Sequence, residues 1–434
     1  MGWNTVLYFH YATRAFTPIV SFMTPFLIEK KKFTNRDIYD KITPCFFISS
    51  LFTPLLAPFI ADYIGNKGGT IFETFIELMV YIIFFLMPPK NIRIGMLTGV
   101  MHGATSAMAS IFKGIILEIM PNHKNRSEVL ADQALIKRVS SVAASWIGQD
   151  INFSTGDNTC NLYISFFMML SSFILSIFIP TPKGNSIKEK SLIEIFLSGW
   201  EETCSKFYTI YSKPILIFSI LNIISSSLYI AFAIYSSNIF IERKKEVDIS
   251  VNRLGKILYY ISAPTRFLSG LLVRFISIFD KSVVYCPEYK KNIIIYGYID
   301  GIAKIVTGII GYAIGKHTYD YHIHLTITTI VIIFLIIFTF FLRHVKSLIS
   351  TYCLYLLAST ASMTALIISK NGFSCKKGDI AILNSVNIFF SSLIHIFISY
   401  YTKWRGVNAE GKLFYYIFIN ICLLALVLLL NFIW

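Results

Sequence analysis

The stretch Pro18–Gly69 reads PIVSFMTPFLIEKKKFTNRDIYDKITPCFFISSLFTPLLAPFIADYIGNKGG and holds two long apolar segments joined by a short charged loop. The first segment ends near Ile28, and the second runs from about Ile42 to Ile64. An apolar segment of about 20 residues is long enough to cross a bilayer as a helix. The stretch therefore predicts a membrane hairpin. It decides the fold because the rest of the chain repeats the same pattern.

The composition is that of a membrane protein. Of its 434 residues, 55% are hydrophobic and 15% are charged, whereas soluble domains are about 25% charged. The net charge is +15, and the Lys and Arg residues lie mostly between apolar segments. We therefore expect anionic lipid headgroups, rather than nucleic acid, as the partner of these charges. The seven Cys form no C-x-x-C pair and have no His at metal-binding spacing, so we predict neither a metal site nor a cofactor.

Twelve segments meet the length criterion, which predicts an all-α polytopic membrane protein with about 12 transmembrane helices. A polar loop at 182–213, expected on the cytoplasmic side, separates an N-terminal half, 1–181, from a C-terminal half, 214–434. This six-plus-six plan resembles that of major-facilitator transporters, whose halves are structural repeats. Lys and Arg are nearly balanced between the two faces, so the positive-inside rule does not decide the orientation. The spans, numbered one to twelve, are 4–28, 42–65, 70–88, 93–118, 129–149, 159–181, 211–240, 292–315, 322–342, 348–369, 379–401 and 412–434.

The segment at about 243–291 does not fit this pattern. It carries Arg253, Lys256, Arg266 and Arg274 among aromatic and aliphatic residues. Those charges make a membrane span unfavourable, so the segment predicts an amphipathic helix lying in the membrane interface. The alternative is a thirteenth span, which would invert every later loop.

The loop between spans two and three carries a candidate gate. Its sequence A-D-Y-I-G-N-K, with Asp62 and Lys67, resembles the loop signature of major-facilitator transporters. We expect Asp62 to cap a helix N-terminus or to pair with a loop cation, which would stabilise one gated state.

Ionisable residues inside spans are unfavourable there and are functional candidates by default. Lys113 either extends its ammonium group to the interface or contacts a ligand, and Lys137 is a candidate to line a cavity. Asp300 and Lys304 are four residues apart on span eight, which favours an ion pair that could act as a coupling switch. His395 lies in span eleven, where it either bonds a neighbouring group or carries a coupled proton.

No catalytic motif is present. The sequence contains no G-x-S-x-G, no P-loop and no H-E-x-x-H. We therefore expect a protein that is not an enzyme.

Scattered motifs carry a family resemblance over nearly the whole chain. Ser21–Leu27 reads S-F-M-T-P-F-L, Gly148-Gln149 ends span five, and Val386–Phe390 reads V-N-I-F-F. Together with Asp62-Tyr63, they keep the order of the matching motifs in the reduced folate and thiamine carriers, and the chain resembles that family. The resemblance implies a secondary transporter of a vitamin-type solute in the plasma membrane. Proton or anion exchange would drive it.

Departures from this family affect the substrate. The acidic residue that both branches carry before S-F-M-T-P falls on Val20, and the family arginine of span five falls on Ala134. The positions that distinguish folate carriers from thiamine carriers fall on Ala104 and His395. Since the arginine that selects folate is absent, the thiamine-like branch is favoured. The alternative is a degenerate carrier that acts as a non-transporting receptor or scaffold.

The resemblance implies a solute cavity between spans one, four, five, seven, eight and eleven. Aromatic contacts would come from Tyr229, Tyr235 and Tyr296, and Asp300 would bind a thiamine-like cation. A folate-like anion would instead be bound by the three basic candidates, Lys113, Lys137 and His395.

Overall fold

The computed structural model describes residues 3–111, 123–180, 213–243, 249–281, 295–316, 321–345, 347–371, 379–407 and 409–433. Within these residues the chain is helical, with no strand. The described residues of every predicted span are mainly helical, which confirms the all-α fold. The main helices are Trp3–Ala15, Met23–Glu29, Thr43–Leu86, Ile92–Ile111, His123–Thr155, Thr159–Ile177, Lys213–Arg243, Ile249–Ile261, Ala263–Phe279, Tyr296–Lys316, Tyr321–His344, Leu348–Asn371, Asp379–Arg405 and Ala409–Ile433.

Span one is broken in its middle. Its two α-helical parts are separated by a 3-10 turn at Pro18–Phe22, with a proline at the first helical position. Proline has no N–H to give to an α-helical ladder, so the chain changes direction there. The turn packs against the helices of spans five, six and eight. The hydroxyl of Ser21 is thereby directed towards the interior of the protein.

Spans two and three belong to one long helix, Thr43–Leu86, which breaks at Gly65. The backbone there has φ 74° and ψ 162°, a conformation that residues with a Cβ rarely adopt. The glycine of the D-Y-I-G-N-K motif therefore makes the turn between the two spans.

The two halves pack through matching pairs of helices. Span five packs against span eight, and span two packs against span eleven. A continuous apolar core extends through both halves, from Phe22 and Tyr81 to Leu221 and Tyr416. This packing gives the six-plus-six architecture predicted from the sequence.

Seven of the described helices are long and apolar enough to cross a membrane, or up to eight if one bent pair counts as a single span. Spans five and eight fall outside that set, and both carry ionisable residues, among them Lys137, Arg138, Asp300 and Lys304. Membrane helices with such residues normally direct them into the bundle. Spans five and eight are therefore candidates to form a polar site inside the bundle.

Within the segment at about 243–291, the described residues 249–281 form two helices, Ile249–Ile261 and Ala263–Phe279, that meet at an angle of 79°. The second helix packs against spans five and six. Its outer face is apolar, with Phe267 73% and Ile278 72% exposed. Such a face suits contact with lipid. The placement of this segment in the membrane interface stays a prediction.

Candidate functional site

A polar cluster lies where span five meets span eight, and Asp300 is at its centre. The Asp300 carboxylate accepts hydrogen bonds from Ser21 at 3.1 Å and from Ser145 at 2.9 Å. Lys304, one helical turn later, places its Nζ 2.6 Å from the same Oδ2 atom. Lys304 also donates to Ser145 Oγ at 2.8 Å. The ion pair that the four-residue spacing predicted is therefore present, and hydroxyl groups from both halves of the protein surround it.

Three tyrosines complete this cluster. Tyr355 donates to Asp300 Oδ1 at 3.2 Å, and its hydroxyl lies 3.0 Å from that of Tyr296. Tyr229 is hydrogen-bonded to Arg138. We call this set the Asp300 cluster; its members are Ser21, Arg138, Ser145, Tyr229, Tyr296, Asp300, Lys304 and Tyr355.

The Asp300 cluster is chemically mixed and draws on both halves of the protein. It joins one carboxylate and two cations to hydroxyl groups and aromatic faces, contributed by spans one, five, seven, eight and ten. Carboxylate and guanidinium groups in a region of low dielectric form stronger hydrogen bonds than neutral groups do. Among the described residues, no group of three or more His, Cys, Asp or Glu is placed to hold a metal ion.

A small cavity lies between spans two, four, seven and eleven. Its volume is about 80 Å³. Serines line much of its wall, and Phe46 and Phe47 cover one side; the serines are Ser50, Ser106, Ser226, Ser391 and Ser392. Both halves of the protein contribute to the wall.

The two halves are joined at the end of the molecule that carries the loop between spans one and two. Lys412 Nζ lies 2.7 Å from Asp40 Oδ1, and the Lys412 side chain is 3% exposed. Beside this ion pair, the hydroxyl of Tyr39 donates to the carbonyl of Ile234 at 3.3 Å. The rings of Tyr39 and Tyr235 are 5.5 Å apart. We call these contacts the Asp40–Lys412 group.

The loop that carries Asp40 is itself ordered. Thr34 and Asp37 form a reciprocal capping box, and Lys41 pairs with Asp37 at 2.7 Å. The hydrogen bond from Lys41, with those from Thr34, lowers the pKa of Asp37 below its ordinary value. Since these contacts fix the turn that precedes span two, they also position Asp40 for its partner.

A second contact between the halves lies at the end of span five. Gln149 accepts a hydrogen bond from the backbone N–H of Gly297 at 2.9 Å. Asp150 accepts hydrogen bonds from Ser262, Thr265 and Tyr298. These hydrogen bonds therefore link span five to span eight and to the bend between helices Ile249–Ile261 and Ala263–Phe279.

The predicted site residues divide into separate groups in the structure. Tyr229, Tyr296 and Asp300 come together in the Asp300 cluster. Tyr235 and His395 lie elsewhere, linked through Tyr416, whose hydroxyl is 2.5 Å from His395 Nδ1. His395 is fully buried and stacks on Phe47 at 4.1 Å between ring centroids. These packing contacts enclose the His395 ring, and its role in solute binding stays a prediction.

The remaining predicted residues have different surroundings. Lys137 places its Nζ 4.5 Å from the ring centroid of Tyr11, inside the N-terminal half. Lys67 is half-buried and follows the break at Gly65. Lys113 and the side chain of Asp62 lie outside the described residues, so the gate predicted there stays a prediction.

Sequence reasoning missed part of the Asp300 cluster. Ser21 lies in the S-F-M-T-P motif, which signals its place, but a serine there does not by itself indicate a contact. Ser145 lies 155 positions from Asp300 in the sequence, and Tyr355 lies on a different span from Asp300. No local sequence pattern therefore marks either residue. Arg138 was visible as a charge beside Lys137, and the structure shows that these adjacent side chains face different neighbours.

The described helices form two packed halves with a polar cluster between them, which is the arrangement of the major-facilitator fold. The solved structure of the nucleoside transporter NupG has this fold and matches with a TM-score of 0.63, over 99% of both chains at 12% identity. A mutant of the same transporter matches with a TM-score of 0.62, over 99% of this chain and 100% of that one at 11% identity. No family model matches the chain, and no curated protein sequence matches it. The comparisons thus confirm the fold and give no support to the narrower resemblance to folate and thiamine carriers.

Proposed function

We propose that this protein is a secondary transporter of a small organic solute, which it moves across a membrane by alternating access. The observation that carries the proposal is the Asp300 cluster, in which Ser21 and Ser145 of one half bond a carboxylate of the other half. A solute that replaced these bonds would contact both halves at once. Binding would then be coupled to the relative movement of the halves.

The Asp40–Lys412 group fits the same mechanism as a gate. Alternating access requires contacts that close one end of the solute pathway and break when the halves rock. Lys412 and Asp40 form such a contact, since they come from opposite halves and meet at one end of the protein. Tyr39 and Tyr235 add packing beside it. Tyr235 and His395 thus belong to the gate side in this proposal, while Tyr229, Tyr296 and Asp300 bind the solute.

The chemistry of the cluster favours a polar solute with an aromatic ring. Tyr229, Tyr296 and Tyr355 offer ring faces and hydroxyl groups, and Asp300 offers a carboxylate for a donor or a cation. A thiamine-like vitamin has these features, as does a nucleoside, which is the solute named for the structurally similar NupG. A folate-like anion would depend on Arg138, Lys304 and Lys137 instead. The resemblance to the folate and thiamine carriers implies the plasma membrane, and we propose that location for this protein.

Binding can be tested with the purified full-length protein in detergent. The melting temperature is measured with thiamine, folate and uridine added one at a time, for the wild type and for Asp300→Asn. The proposal expects one solute to raise the wild-type value, because ligands that bind the folded state stabilise it, and expects that shift to vanish in the variant.

Asp157→Asn is the matched control. It removes a carboxylate that pairs with Lys30 in an exposed loop contact, with 43% of the Lys30 side chain exposed. The control should keep the ligand-induced shift. If the solute raises the melting temperature of Asp300→Asn as much as that of the wild type, Asp300 is not part of the binding site. If no solute raises the wild-type melting temperature, the receptor or scaffold alternative is favoured.

A further inference from the structure

The N-terminal half contains a second network of charged groups, separate from the Asp300 cluster. Glu73 and Glu77 lie one turn apart on span three, and both are buried, at 0% and 6% exposure. Arg14 of span one forms a two-pronged ion pair with Glu73. The Glu73 carboxylate is therefore paired with an arginine, whereas Glu77 is paired with another residue.

The partner of Glu77 is His102 of span four. Nδ1 of His102 lies 2.9 Å from Glu77 Oε1 and 3.2 Å from Oε2. A carboxylate only accepts hydrogen bonds, so Nδ1 carries a hydrogen in this contact. Thr105 donates a further hydrogen bond to Glu77. A neutral His102 held in this way has Nε2 as its basic nitrogen, which can take up one proton.

His102 is the more exposed member of this pair. Its side chain is 42% exposed, whereas that of Glu77 is 8% exposed. The His102 ring lies 5.6 Å from the ring of Phe46. Phe46 in turn lines the serine-walled cavity formed by spans two, four, seven and eleven. The pair thus joins a buried acceptor to a partly exposed histidine, whose neighbour Phe46 lines a cavity to which both halves contribute.

The charges around the pair come from several helices. Among the described residues, Arg14 of span one and Glu73 of span three act electrostatically on His102. Lys137 of span five acts on Glu73. Tyr81 lies one turn beyond Glu77 on span three, with its hydroxyl bonded to Thr17. His102 and Glu77 are thus part of a network of charged groups from spans one, three, four and five.

We propose that the His102–Glu77 pair is the proton-binding site that couples proton movement to transport. A proton from water on one side adds to Nε2 of neutral His102 and gives an imidazolium paired with the Glu77 carboxylate. After the halves rock, the same proton leaves Nε2 for water on the other side, and His102 is neutral again. This inference rests on the proposed transport function and identifies its coupling ion.

The structure favours His102 over the histidine singled out in the sequence. His395 is fully buried against Phe47, and Nδ1 contacts Tyr416. It has no acidic partner among its described contacts. His102 has both an acidic partner and exposure, the two properties that a coupling site needs.

The decisive experiment compares uphill transport with exchange in liposomes that contain the full-length protein. Labelled thiamine, folate and uridine are the solutes, and the membrane potential is held at zero with potassium and valinomycin. One unit of pH gradient is worth about 1.4 kcal/mol per proton, which supports about tenfold accumulation for one proton per solute. The wild type is expected to reach this level. His102→Gln and Glu77→Gln are expected to show no accumulation while they keep exchange of labelled for unlabelled solute at equal pH.

His322→Gln is the control, since it changes an exposed histidine at the start of span nine. It should accumulate solute like the wild type. Full accumulation by His102→Gln would overturn the inference.

A second measurement does not depend on transport. The melting temperature of purified protein is followed between about pH 5 and 8, the range in which histidine titrates. The wild type and His322→Gln should share a pH-dependent component that His102→Gln lacks, and an unchanged profile in His102→Gln would overturn the proton site. If the wild type exchanges none of the three solutes, the transport proposal fails by itself, and this profile alone decides whether the proton site stands.

Discussion

Lys412 and Asp40 form an ion pair of 2.7 Å between residues that are 372 positions apart in the sequence. Lys412 begins span twelve and Asp40 precedes span two, so the pair ties the C-terminal half to the N-terminal half. Only 3% of the Lys412 side chain is exposed, against 22% for Asp40. Removal of one partner from such a pair leaves a poorly hydrated charge, which is strongly destabilising.

Single substitutions in this pair should weaken the closed gate. Asp40→Asn or Lys412→Met is expected to lower stability by about 3 kcal/mol, because the remaining charge loses its partner. The double variant should recover part of this loss, with a coupling energy of about 1–3 kcal/mol. Thermal unfolding of the wild type, both single variants and the double variant measures the cycle. Strictly additive losses would show that the ion pair does not hold the gate.

Opening of the gate can also be followed by labelling. Ser391→Cys places a thiol in the serine-lined cavity, in a background whose seven native cysteines are replaced by serine. Adding Lys412→Met should speed its reaction with a membrane-impermeant reagent applied to the face that carries Asp40. Equal labelling rates with and without Lys412→Met would contradict the assignment of this contact as a gate.

Asp300→Asn should impair transport while the fold persists. The substitution keeps the shape of the side chain but removes the charge bonded by Lys304 and Tyr355. Hydrogen bonds to a charged group contribute about 1.5–3 kcal/mol, so uptake is expected to fall by roughly 10- to 100-fold. Initial uptake rates at equal amounts of folded protein provide the measurement.

Tyr355→Phe tests the tyrosine part of the site. It removes the hydroxyl that bonds Asp300 and lies 3.0 Å from that of Tyr296. One such bond contributes about 1 kcal/mol, so the apparent solute affinity is expected to weaken by about fivefold. Tyr352→Phe, one turn earlier, is the control, since its hydroxyl accepts a hydrogen bond from the backbone of Ile295. That control should lower the melting temperature and leave affinity unchanged; an affinity loss as large as that of Tyr355→Phe would refute the assignment.

Gly103→Ala should destabilise the packing of span four on span two. A Cβ at this position would lie 2.2 Å from the Phe46 carbonyl oxygen and from Ser49 Oγ. Overpacking of this kind typically is destabilising by about 1–3 kcal/mol. Gly308→Ala, whose nearest contact is the Cβ of Arg138 at 3.3 Å, is expected to change stability less. Thermal unfolding of both variants ranks them, and the reverse order would show that spans two and four do not pack this closely.

Much of the fold could be predicted from the sequence, because bilayer thickness sets the length of each apolar segment. The break between spans two and three followed from Gly65 and its polar neighbours. The pairing of Asp300 with Lys304 followed from their spacing on one helix. These predictions depended on local pattern alone.

The remainder of the site depends on contacts between distant helices. Tyr355 lies in an ordinary apolar span, so no local feature distinguishes it from a packing tyrosine. The partnership of Asp40 with Lys412 arises only when the two halves pack. His395 is a further example: the sequence marks it only as an ionisable group in a span, and the structure adds that Phe47 and Tyr416 enclose its ring.

Solute exchange in liposomes tests the central claim most directly. Liposomes that contain the wild-type protein are loaded with unlabelled thiamine, folate or uridine, and the uptake of the same labelled solute is measured. We expect exchange of at least one of them above the level of protein-free liposomes, and expect Asp300→Asn to abolish most of it. Folded wild-type protein that exchanges none of the three, or an Asp300→Asn variant that exchanges as well as the wild type, would contradict transport through the Asp300 cluster.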